Sequence, residues 1–146
     1  MEIKYQIFEK EKILVQKYTG SFSLELYMRY SAFIMSQPAS GFINNVIIDF
    51  RDFSFNDIPG DFSETLQRIV EVRKNINRKE KRMENVTVVF WVNKPMPTVI
   101  VHMFKSSFSD MDYHYCSTAE HVRELTNAPD RFNDLDDIIN NLENTF

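Results

Sequence analysis

The chain has 146 residues, 43% hydrophobic and 26% charged, with a net charge of −4 at pH 7, so it suits one globular domain with an unstapled core and has no general attraction to nucleic acid. No stretch approaches the ~20 consecutive apolar residues that cross a bilayer, which excludes membrane insertion. The single Cys116 has no internal disulfide partner and Met1-Glu2-Ile3-Lys4 lacks the apolar core of a signal peptide, so the expected setting is cytoplasmic.

Ile3 to Phe8 and Ile13 to Tyr18 are strand-like runs around the charged tetrad Glu9-Lys10-Glu11-Lys12, which predicts an N-terminal β-hairpin. After Thr19-Gly20, Leu24, Tyr27, Met28, Ile34 and Met35 recur at helical spacing and stop before Pro38 and Gly41. Phe42 to Phe50 holds the unbroken Val46-Ile47-Ile48 run of a strand covered on both faces. A second helix is expected to open at Asp61, with Glu64 completing a capping box and Phe62, Leu66, Ile69, Val70 and Ile76 on one face. Val86 to Val92 reads as the next buried strand. Pro95 and Pro97 mark a turn into a helix carrying Val99, Ile100, Met103 and Phe104. Asp112 to Cys116 is a short strand, and Ser117-Thr118-Ala119-Glu120 is a capping box for a helix through Val122 and Leu125. Leu135, Ile138, Ile139, Leu142 and Phe146 predict a docked amphipathic helix over residues 133–145.

Strands alternating with helices imply right-handed crossovers and an α/β fold, with a mainly parallel sheet and an antiparallel edge strand from the hairpin. The segment from Val46 to Gly60 is the informative one: an apolar strand ends in Asp49 and enters the acidic loop Arg51-Asp52-Phe53-Ser54-Phe55-Asn56-Asp57-Ile58-Pro59-Gly60 ahead of a helical pattern. Open α/β sheets place functional loops at such strand ends.

This order of elements and this loop resemble the STAS domain of sulfate transporters and anti-sigma factor antagonists, and the broader set of SpoIIAA-like bacterial proteins. The resemblance spans residues 5–127 as a STAS-like βα superhelix, with the C-terminal helix extra to it. Asp49 looks like the family's strand-terminal Asp, Asp57 like its loop Asp and Gly60 like its Gly. Ile58 and Pro59 occupy the positions of the family's two serines, one of which a kinase phosphorylates; Ser54 and Ser63 lie nearby but align with neither. The resemblance therefore implies a non-enzymatic regulatory or interaction domain without the phosphoswitch, which meets a protein partner through Asp52, Ser54, Phe55, Asp57, Gly60 and Asp61.

The alternative is a carrier or sensor of a small apolar or amphipathic ligand, because Phe53, Phe62, Met96 and Phe104 fall on or near the predicted carboxyl-edge loops. Core packing explains most such rings, because helices on a sandwiched sheet need large apolar residues anyway. An enzyme would need an unrecognised carboxylate site, with Asp49, Asp52 and Asp57 its candidates. No catalytic residue, cofactor or metal ligand is assigned: there is no Gly-x-Ser-x-Gly elbow and no phosphate-cradling glycine loop. The acidic loop can also be read as a turn plus a helix cap, and His114, Cys116 and His121 match no zinc spacing. His102 reads as a partly buried helix residue. The basic run Arg73, Lys74, Arg78, Lys79, Lys81 and Arg82 reads as a solvated face, open to contact with the acidic tail within the chain or across a homodimer.

Overall fold

The computed structural model describes residues 1–55, 64, 65, 67–71, 85–94, 102 and 111–146. The predicted hairpin forms from β1 (Glu2–Phe8) and β2 (Ile13–Ser21), paired antiparallel from Glu2 opposite Thr19 to Phe8 opposite Ile13. Lys12 closes the turn with a positive φ of 58° and donates its backbone N–H to the Glu9 carbonyl. Gly20 holds a φ of +76° near the end of β2, where a side chain would be strained and a Cβ would come within 3.4 Å of the Met1 backbone nitrogen.

Helix α1 (Leu24–Ser36) follows, capped by the Ser23 hydroxyl, which accepts from the Leu26 N–H, and a short 3₁₀ turn at Pro38–Phe42 leads into β3 (Asn45–Asp49). Strands β2, β3, β5 (Thr87–Trp91) and β6 (Asp112–Cys116) lie parallel, giving the mainly parallel sheet expected. A two-residue strand, β4 (Phe53–Ser54), runs parallel to Gly20 and Ser21 at the end of β2. The segment after β3 is therefore a tight turn and a return to the sheet, where the sequence predicted a plain loop.

The path through the sheet is β6-β5-β3-β2-β1-β7, with β4 beside β2. Here β7 is Asn144–Thr145, which pairs antiparallel with Lys4 and Tyr5. This corrects two expectations. The hairpin does not supply the outermost strand, since β7 covers β1, and the C-terminal helix expected over 133–145 is confined to α3 (Leu135–Asn140). Asp134 caps α3 by accepting from the Asp137 N–H, and Asn141 ends it, so Phe146 leaves the helical stripe and packs against Tyr30 and Phe33 of α1.

Helix α2 (Ala119–Thr126) is capped by Thr118, whose hydroxyl accepts from the His121 N–H, one residue later than the predicted Ser117 box. Strand β6 fixes this shift, because the Val92 N–H bonds to the Cys116 carbonyl and keeps the chain extended to that point. Residues 64, 65 and 67–71 are helical, as is His102, while the predicted helix start at Asp61 lies outside the described residues.

The alternation of strand side chains produces two cores. Leu14, Tyr18, Val46, Phe50, Val88, Phe90 and Tyr113 join α1 and Ile69 on one face; Ile13, Val15, Ile47, Val89, Trp91 and Cys116 join α2 and α3 on the other. Among the described residues, no helix is long and apolar enough to cross a membrane.

Candidate functional site at the carboxyl edge of the sheet

Strands β3 and β5 end together here, at Asp49 and Trp91, and Lys17 of β2, which runs on to Ser21, is the register partner of Asp49. Asp49 is completely buried, which demands compensation for its charge. Arg51 supplies it. The turn after β3 brings the guanidinium back as a two-pronged fork, Nε to Asp49 Oδ1 at 2.9 Å and Nη2 to Oδ2 at 2.9 Å, and the Arg51 backbone N–H adds a bond of 3.0 Å to Oδ1. The fork lies over the Trp91 ring, with Cζ 3.5 Å from its centroid. Nη1 reaches Asp136 Oδ1 of α3 at 2.8 Å. Burial by itself would lower the Arg51 pKa, but the hydrogen bonds and charges of Asp49 and Asp136 outweigh it and raise it further. Trp91 Nε1 is buried with no hydrogen-bond partner among the described residues.

Two exposed carboxylates flank this latch, each paired with a cation. Lys17 Nζ meets Asp52 Oδ2 at 3.1 Å, with the Asp52 side chain 63% exposed, and the Asp136 side chain is 57% exposed. Such exposed pairs contribute little stability.

The aromatic residues of the corner point the other way. Phe53 and Phe55 are buried and meet edge to face at 4.8 Å; Phe53 stacks on Phe50 at 5.1 Å and Phe55 on Phe22 at 5.8 Å. They fill the core beside Tyr18. Of the residues predicted to meet a partner, Asp52 is exposed, Ser54 is half-buried and lends its backbone carbonyl to the Phe22 N–H, and Phe55 is withdrawn from the surface. Asp57, Gly60 and Asp61 lie outside the described residues, as do Phe62, Met96 and Phe104 of the predicted apolar pocket and the whole basic run from Arg73 to Arg82.

A cavity of about 90 Å³ lies elsewhere, between α1 and the sheet. Tyr30, Ser31 and Ile34 line it from the helix, and Val46, Val88 and Tyr113 from the strands. Phe53 is not among its lining residues. The sequence carries no direct signal for it, because it arises from what three distant elements leave unfilled.

Other predicted chemistry is differently placed. The Cys116 thiol is buried, which pushes its pKa up to about 11 and keeps it a neutral thiol at physiological pH. His114 Nε2 pairs with Asp112 at 2.7 Å, and His121 is exposed at the start of α2. No group of three His, Cys, Asp or Glu side chains among the described residues could hold a metal ion. His102 is exposed, contrary to the partly buried position expected. The acidic tail serves its own neighbourhood: Asp134 caps α3, Asp137 accepts from Asn141 Nδ2 and Asp136 joins Arg51. No family model, curated protein or solved structure matches this chain.

Proposed function

We propose that the chain is a non-enzymatic, STAS-like regulatory domain that docks a protein partner carrying basic groups onto the acidic rim at the carboxyl edge of its sheet. One observation carries this reading: Arg51 is consumed by Asp49 and Asp136, so the corner's strongest cation is neutralised from within. From Asp52 onward the chain then runs through Asp57, Asp61 and Glu64 without a Lys or Arg before Arg68. A rim of one sign attracts a partner of the other and speeds its arrival. The same latch argues against catalysis by Asp49, whose carboxylate is committed to Arg51. With Ile58 and Pro59 in place of the family's serines, docking is constitutive rather than switched by phosphate.

The test is charge reversal at the rim. Asp52→Lys and Asp57→Lys, each compared with wild type in salt-graded pull-downs, are expected to lose at least ~90% of a salt-sensitive partner while the fold is unchanged by circular dichroism. An identical partner set in both variants sinks the proposal. A sensor of a small ligand is the second reading, favoured by the cavity beneath α1 rather than by the carboxyl edge.

A further inference from the structure

We infer that the cavity beneath α1 is a binding site for one small neutral molecule, a compact apolar body bearing a single hydrogen-bonding oxygen, which the Tyr30 hydroxyl orients. The inference rests on the second reading above and gives it a ligand class.

Size limits the body. The pocket offers about 90 Å³, several times the room one water needs, which suits one small ring or a short branched chain.

The wall decides the charge. Its described lining is Leu, Ile, Val, Met, Phe and Tyr, with Gln16 and Ser31 as polar members and no Lys, Arg, Asp or Glu. A charged ligand would lose its hydration and gain no counter-ion.

Tyr30 decides the polar contact. Its side chain is almost wholly buried, its ring is held edge to face by Tyr5 at 5.7 Å and Phe146 at 5.3 Å, and its hydroxyl has no hydrogen-bond partner among the described residues. A buried hydroxyl in that state is costly to the empty protein and is relieved by any ligand that bonds to it. Burial raises the Tyr30 pKa well above its ordinary value, with the nearby Tyr5 adding to it, so the group remains a protonated donor across the physiological range. On the cavity floor, the Tyr18 hydroxyl donates to Gln16 Oε1 at 3.1 Å, which fixes the amide beside the void.

The experiment compares phenol, toluene and phenylacetate as probes of matched ring and different polarity, using thermal shift and ligand-observed NMR on the full chain. Phenol is expected to bind most tightly, toluene more weakly and the phenylacetate anion not at all. Tyr30→Phe, which keeps the ring and removes the hydroxyl, should weaken phenol about fivefold and leave toluene unchanged. Ser31→Leu, which fills the void from α1, should abolish both while circular dichroism stays native. If no probe binds, the inference falls together with the sensor reading. If phenol and toluene bind equally and Tyr30→Phe changes neither, the assignment of ligand class and of Tyr30 is overturned, while a sensor of purely apolar molecules still stands.

Discussion

The two faces of the sheet are packed by different means. Beneath α2 and α3 the core is mainly aliphatic, with Val15, Ile47, Val89, Val122 and Ile139 all fully buried beside the rings of Trp91 and Phe132, and the Asp49, Arg51 and Asp136 latch fastens α3 to the strand ends. Beneath α1 rings carry more of the core: Tyr18, Tyr30, Phe50, Phe53 and Phe90 meet mostly edge to face or tilted, and the cavity lies against all of these but Phe53. Branched aliphatic side chains interdigitate closely. Rigid rings have two side-chain torsions and preferred mutual angles, so a face built from them trades tight filling for shape. One face is suited to hold the structure, the other to admit something.

The largest test of this contrast is Asp49→Asn. Asn keeps one acceptor oxygen for the Arg51 fork but removes the buried charge and sets an NH2 donor against Nη2, and unfolding in urea should show a loss of about 3 kcal/mol. A loss under about 1 kcal/mol would mean that the latch does not organise its face.

Adjacent valines give the next test, since they point to opposite sides of β5. Val89→Ile adds a methylene to the packed face and is expected to cost about 1–2 kcal/mol. Val88→Ile adds it beside the cavity and should be neutral or stabilising by up to about 1 kcal/mol. Thermal melts of both variants settle the order, and a reversal would contradict the difference in packing. The smallest effect belongs to Asp136→Asn, at about 0.5 kcal/mol and fading in high salt, because that carboxylate is more than half exposed. A larger, salt-insensitive loss would move Asp136 into the buried part of the latch.

Much of this frame was legible in the sequence. Val46-Ile47-Ile48, Val88 to Trp91 and Asp112 to Cys116 announced their strands, because a run of β-branched and aromatic side chains has few other uses. The short strands were not legible. β4 and β7 have two residues each and exist because β2 and β1 offer them unpaired backbone groups, which no local propensity encodes. Leu135, Ile138, Ile139 and Leu142 continued to Phe146 at helical spacing, yet Phe146 serves the opposite face of the sheet; periodicity cannot tell where a chain leaves a helix to round an edge.

At the candidate site, the acidic residues of the corner and the place of Asp49 were readable, while Phe53 and Phe55, offered as pocket and partner contacts, pack into the core. Alternation along Phe53, Ser54 and Phe55 sends both rings inward once β4 joins the sheet. The Arg51 fork depends on a turn that returns the side chain over Trp91, a relation between strands that are not neighbours in sequence.

The fastening of β7 onto β1 bears on the order of assembly. Asn144 Nδ2 bonds to the Tyr5 carbonyl across 139 positions of sequence, and the ladder it joins is only two residues long. So brief a pairing cannot stand alone, and closing so wide a loop yields nothing until the elements between have gathered. Protection of these few amides from solvent exchange is thus a late event, a witness that the rest of the chain has already found its place.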